Sequence, residues 1–143
     1  MEKPDLALLP HRPPFLFLDG IELDLPNQRI YGVWTAPADW DVFRGHFPGM
    51  PLVPGVILLE MMAQAACILG RRIDPSTADR PVLLVGLDNA RFRRVIHPGE
   101  RVETEVRFRR RRRELWRFDG EVQAGGEPVA EATILATLGE LNL

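Results

Sequence analysis

The pattern of apolar and polar positions divides the chain into two early strands, one long apolar helix and a closing series of strands. Residues 101–109 alternate strictly. Val102, Thr104, Val106 and Phe108 fall on one face, and Arg101, Glu103, Glu105, Arg107 and Arg109 on the other. That period predicts a half-buried strand. Residues 115–124 and 128–138 flank Gly125-Gly126, which predicts a hairpin. Residues 82–87 predict a further strand that can run on towards Phe92. Residues 15–25 and 29–35 predict two more, joined by a turn at Pro26-Asn27-Gln28. A short helix is expected over residues 6–9, then a stiff irregular connection through Pro10, Pro13 and Pro14. Residues 36–44 and 71–80 read as loops.

Residues 55–69 are apolar nearly all round, which predicts a helix buried on most sides. Pro54 suits its start and Gly70 its end. The stretch before it, residues 45–54, holds Pro48, Pro51 and Pro54 and is expected to lie extended. This order predicts an α+β domain spanning residues 1–143, with one helix covered by a curved antiparallel sheet. Such a sheet leaves an exposed edge strand. Pairing of edges between subunits would cover it, so an oligomer is expected.

Composition narrows the function classes. The chain is 45% hydrophobic and 27% charged, as in soluble globular proteins. A formal net charge of -2 argues against a general nucleic-acid binder. Cys67 is the only cysteine, so neither an intrachain disulfide nor a multi-cysteine zinc site can form. No segment approaches the roughly 20 apolar residues of a membrane-spanning helix. The polar start, Met1 to Asp5, does not read as a signal peptide, and a cytoplasmic setting is expected.

Glu60 and Gln64 are the only polar side chains between Val56 and Leu69, and they share a helix face. Burial would raise the carboxyl's proton affinity and suit it to general-acid work. The alternative is a glutamate that reaches solvent or closes a structural hydrogen bond with Gln64. His46, within Gly45-His46-Phe47-Pro48-Gly49, is a candidate base near neutral pH, or else a turn histidine bonded to backbone. Gly55 opens the helix, where free N–H groups can hold a developing oxyanion; it also reads as an ordinary helix start after proline. His11 and His97 read as structural, and three scattered histidines make no metal site. Arg91, Arg93, Arg94 and the run Arg107 to Arg113 form either a docking patch for an acidic or phosphorylated partner or a solvated strand end.

Taken together, these residues resemble the bacterial 3-hydroxyacyl-[acyl carrier protein] dehydratases. The resemblance is carried by the unbroken run from Gly45 to Glu60, GHFPGMPLVPGVILLE, and by Ala63-Gln64-Ala65-Ala66. It extends upstream to Leu9-Pro10-His11-Arg12-Pro13-Pro14-Phe15 and downstream to Asn89-Ala90-Arg91-Phe92-Arg93-Arg94, Pro98-Gly99 and Val129-Ala130-Glu131-Ala132. The resemblance implies a hot-dog fold, paired subunits that can assemble as a trimer of dimers, and active sites built from two subunits. It implies His46 and Glu60 as catalytic residues, the Gly55 N–H on the thioester carbonyl, and Gln64 in support. The implied substrate hangs on the phosphopantetheine arm of an acyl carrier protein, with Arg91, Arg93, Arg94 and Arg110 as docking candidates. No metal or redox cofactor is implied. Asp39-Trp40 stands where the family often has Asn-Glu, and Arg44 where glutamine is frequent. A specialised acyl pathway is therefore open. So are a hot-dog thioesterase, a CoA-linked hydratase and a non-catalytic carrier-binding module.

Overall fold

A computed structural model describes residues 1–139; the last four residues of the expected domain, 140–143, lie outside the described residues. In chain order the elements are β1 (Gly20–Asp24), β2 (Arg29–Thr35), α1 (Gly55–Ile73), β3 (Val82–Phe92), β4 (Arg101–Arg112), β5 (Leu115–Ala124) and β6 (Glu127–Leu138). The six strands form one sheet in the order β1-β2-β4-β5-β6-β3, and every neighbouring pair is antiparallel. One long helix against one antiparallel sheet is the predicted α+β architecture.

The core follows from the two periodicities. On β4 the buried side is Val102, Thr104 and Val106, and on β5 it is Trp116, Phe118, Gly120 and Val122. These face Leu58, Met61, Met62, Ala65, Ile68 and Leu69 of α1, all buried. Burying each large side chain of this kind stabilises the fold by about 1.5–3 kcal/mol. Contact is close enough to exclude a methyl group. A Cβ on Gly120 would sit 2.6 Å from Met62 Sδ, and one on Gly70 2.5 Å from Leu138 Cδ1.

Gly70 therefore serves packing and does not end the helix, which continues to Ile73 with Asp74 as its C-cap. Arg71 and Arg72 occupy the last turn, where cations oppose the negative helix end. Residues 15–18 are not strand. The side chain of Gln64 takes their backbone bonds instead: the Phe17 N–H donates to Gln64 Oε1 (2.9 Å) and Gln64 Nε2 donates to the Phe15 carbonyl (3.1 Å). Residues 6–9 make only a turn, closed by the Leu8 and Leu9 N–H groups on the Asp5 carbonyl. The predicted loop at 36–44 contains a short 3-10 turn at Asp41–Arg44; the one predicted at 71–80 begins only after Ile73, where α1 ends, and contains a 3-10 turn at Pro75–Thr77. Strand β4 continues three residues past the strict alternation.

The two edges of the sheet differ. Beside β1, Glu2 pairs with Ile21 in an isolated bridge. The outer edge of β3 pairs with no strand among the described residues, and Leu83, Leu84, Val85, Leu87 and Phe92 are all exposed.

Candidate active site

The proline-rich loop before α1 is held by backbone hydrogen bonds, within itself and to the segment after β3. The His46 N–H donates to the Val42 carbonyl, Leu52 N–H to His46 O, and Val53 N–H to Ile96 O. Gly49 sits at φ +75°, a left-handed conformation that favours glycine. The His46-Phe47 peptide is cis. His46 Nδ1 lies 2.8 Å from the Leu52 carbonyl. A carbonyl can only accept, so in the neutral ring Nδ1 carries the proton and Nε2 keeps its lone pair. His46 Nε2 is thus left free to accept a proton, with the ring stacked on Phe47 at 4.0 Å between centroids.

Gly55 is the first residue of α1, so its N–H has no acceptor within the helix. Phe92, at the end of β3, closes on it: a Cβ on Gly55 would meet the ring at 2.8 Å. The absence of a side chain lets the aromatic ring lie against the helix start, beside a positive helix end.

Glu60 lies one turn further along α1, with 19% of its side chain exposed. Gln64 Nε2 donates to Glu60 Oε1 at 3.3 Å. His11 Nε2 reaches the same oxygen at 3.2 Å. The Glu60–Gln64 hydrogen bond, offered from sequence as the structural alternative for this glutamate, is present. His11, read from sequence as structural, instead touches the carboxylate. Its only signal in the sequence is its place in the Leu9–Phe15 stretch of the family resemblance; nothing in local periodicity points to it.

Within one chain His46 and Glu60 are joined by no hydrogen bond or ion pair among the described residues. The arginine candidates also divide. Arg91 and Arg93 flank Phe92 near the start of α1, and Arg93 pairs with Glu131. Arg94 pairs with Glu100 at 2.6 Å and Glu127 at 3.6 Å. Arg110 lies near the far end of β4, where the adjacent Arg111 pairs with Asp74 just past the other end of α1. A helix of 19 residues separates that end from Gly55 by about 28 Å.

Trp40, at the departure from the family pattern, is half-buried in a chain of edge-on aromatic contacts. It meets Trp34 at 5.4 Å, Phe43 at 5.3 Å and Phe17 at 6.1 Å. The loop before His46 is anchored to the core through this side chain. Cys67 is the remaining reactive type near Glu60. Burial pushes its thiol up to about 11, so it carries no nucleophile at neutral pH. Among the described residues, no group of three or more His, Cys, Asp or Glu is placed to hold a metal, and no helix is long and apolar enough to cross a membrane.

With this geometry in place, comparison with known proteins fixes the family. The FabA-like domain matches residues 9–133. The chain is 40% identical over 135 residues to the 3-hydroxyacyl-[acyl-carrier-protein] dehydratase FabZ of Anaeromyxobacter sp. (strain K), covering 93% of this chain and 86% of that one. It is 38% identical over 140 residues to the protein of the same description from Shewanella oneidensis, covering 96% and 91%. In structure it is similar to the dehydratase heterocomplex ApeI:P from Xenorhabdus doucetiae, with a TM-score of 0.74 and 18% identity over 95% of this chain and 90% of that one. It is also similar to a putative thioesterase from Ralstonia eutropha, with a TM-score of 0.64 and 23% identity over 82% and 83%. These two likenesses bear on the hot-dog fold alone, since one fold hosts several chemistries. The sequence relationships go further: the chain belongs to the 3-hydroxyacyl-[acyl carrier protein] dehydratase family, within the FabA-like group, and is an enzyme.

Proposed function

We propose that the enzyme removes water from a (3R)-3-hydroxyacyl chain on acyl carrier protein and releases the trans-2-enoyl thioester. The observation that carries this reading is the His46 ring, tied through Nδ1 to a carbonyl and left basic at Nε2, in a chain 40% identical to a dehydratase of that name. The Gly55 N–H donates a hydrogen bond to the thioester carbonyl oxygen and polarises it, which acidifies the α-carbon. His46 Nε2 takes the α-proton. The electron pair forms the double bond, the β C–O bond breaks, and the hydroxyl leaves as water with a proton from Glu60. The imidazolium and the carboxylate then exchange that proton through solvent. No electrons are transferred, so the balance needs no redox cofactor.

The open apolar edge of β3 supports a homodimer in which two β3 strands pair, a unit that can assemble further into a trimer of dimers. His46 and Glu60 share no hydrogen bond within one chain among the described residues, which supports sites that take the two residues from opposite subunits. Arg91, Arg93 and Arg94, near the start of α1, suit the phosphopantetheine or an acidic carrier surface. Arg110 stands too far along the sheet to act with them in the same subunit. A single unpaired cysteine accords with work in the reducing cytosol.

The test is incubation with 3-hydroxyacyl-carrier substrates of several chain lengths, read by mass spectrometry. Loss of one water is expected. His46→Ala and Glu60→Gln should each lower the rate by about 100- to 10,000-fold. Hydrolysis of the thioester with no enoyl product would replace this reading with a thioesterase. Tight carrier binding with no turnover would replace it with a binding module.

A further inference from the structure

We propose that His11 is a positioning residue for Glu60: with Gln64 it fixes two N–H donors on Oε1, so that the acidic proton is carried on Oε2 and delivered from there. The inference rests on the dehydratase reading, in which Glu60 gives a proton to the leaving hydroxyl. His11 Nε2 lies 3.2 Å and Gln64 Nε2 3.3 Å from Glu60 Oε1. No hydrogen bond engages Oε2 among the described residues, and the side chain keeps 19% exposure.

Both donors can be assigned from their partners. Gln64 cannot turn its amide over, because its oxygen accepts from the Phe17 N–H (2.9 Å) while its nitrogen donates to the Phe15 carbonyl (3.1 Å). In His11 the other ring nitrogen, Nδ1, is buried without a partner. A proton there would leave an N–H buried and unpaired, at a cost of about 1–3 kcal/mol. The neutral ring therefore carries its proton on Nε2 and donates it to Oε1.

An oxygen that accepts two hydrogen bonds takes the carbonyl role in a carboxylic acid, and the hydroxyl role passes to the other oxygen. The β C–O electron pair goes to the departing oxygen, which takes the proton from Oε2 and leaves as water. Glu60 remains as a carboxylate with both donors still on Oε1. Reprotonation from His46 through solvent returns the proton to Oε2.

The segment carrying His11 is held for this task. Arg12 Nη1 donates to the Leu9 carbonyl (2.6 Å) and Nη2 to that of Leu6 (3.0 Å). Buried Arg71 of α1 donates to the carbonyl of Leu8 at 2.6 Å. The His11 ring stacks on Phe15 at 6.3 Å. The titratable groups that face Glu60 are His11 on this segment and Cys67 on α1 itself.

The experiment compares the wild type, His11→Phe and His11→Gln. The first variant keeps the stacked ring and removes the donor, and the second restores an N–H at similar reach. The readouts are kcat and KM against pH, and the titration of the Glu60 carboxyl by carbon-13 NMR, assigned by its loss in Glu60→Gln. His11→Phe should lower kcat about tenfold or more with KM within about threefold, and His11→Gln should recover most of it. Removing a donor that favours the carboxylate should move both the alkaline limb of kcat and the NMR midpoint to higher pH, and His11→Gln should bring both back. A loss of activity with an unmoved midpoint would make His11 a structural residue only, and unchanged kcat in His11→Phe would also overturn the proposal. An inactive wild type would remove the dehydratase reading, while the midpoint comparison would still decide whether His11 acts on Glu60.

Discussion

At position 70 two effects of a single methyl group oppose each other. Gly70 lies inside α1, where alanine is favoured by about 1 kcal/mol on intrinsic helix propensity. The new Cβ, however, would sit 2.5 Å from Leu138 Cδ1 and 3.3 Å from Phe118 Cζ, and both side chains are buried. Overpacking of a filled core costs about 1–3 kcal/mol, which exceeds the helical gain. Gly70→Ala should therefore lower stability by about 1 kcal/mol, read from the denaturation midpoint. Gly70→Ala combined with Leu138→Ala should not add the two losses, because the second change removes the atom that the first one meets. A more stable Gly70→Ala protein would mean that Leu138 moves aside freely and that the glycine reflects no packing demand.

The joint between α1 and the β4–β5 hairpin is electrostatic. Asp74 caps the end of α1, accepts from the Ser76 N–H and hydroxyl, and pairs with Arg111 of β4 at 2.5 Å. Arg111 also lies 4.5 Å over the Trp116 ring of β5. The hydrogen bonds from Ser76 and Arg111 lower the Asp74 carboxyl from 3.8 to about 2. A depressed folded-state value means that the carboxylate's contribution is fully present above the unfolded value and is lost as pH falls towards the folded one. Asp74→Asn should thus be less stable than the wild type near neutral pH, with the gap closing as pH drops from about 4 to about 2. Urea midpoints at several pH values check this. A gap that does not change with pH would show that Asp74 acts through geometry alone. This joint was not legible in the sequence, where Gly70 suggested an earlier helix end and the arginine run a docking patch or a solvated end. The strict alternation on β4 was legible because one face of that strand is buried and the other wet. The irregular path of residues 15–18 was not, because its bonds go to Gln64, a side chain 47 positions away from Phe17. His46, Gly55 and Glu60 were legible as residue types in a motif. The His11 contact with Glu60 is set by how the N-terminal segment crosses the helix, which no local period encodes.

For the whole molecule, the open edge of β3 and the lack of any hydrogen bond between His46 and Glu60 among the described residues bear on the same proposal, a site shared by two subunits. If each site takes His46 from one chain and Glu60 from the other, two inactive chains can complement. A homodimer of His46→Ala lacks the base in both sites, and a homodimer of Glu60→Gln lacks the acid in both. A heterodimer of the two variants has one site with neither group and one with both. Coexpression under two affinity tags and tandem purification isolates that heterodimer. It should show about half the wild-type rate per dimer, since one of its two symmetry-related sites is whole. Each parent purified alone should stay near background. Sites contained within a single chain predict the opposite, because neither chain of the heterodimer carries both residues and no activity could return. A Leu84→Lys change in both variants places charge on the exposed apolar edge strand and should abolish the recovered activity together with the dimer, followed by light scattering on the eluting peak. Recovery that persists in a monomeric Leu84→Lys preparation would separate the site from the β3 edge and place the shared surface elsewhere on the molecule.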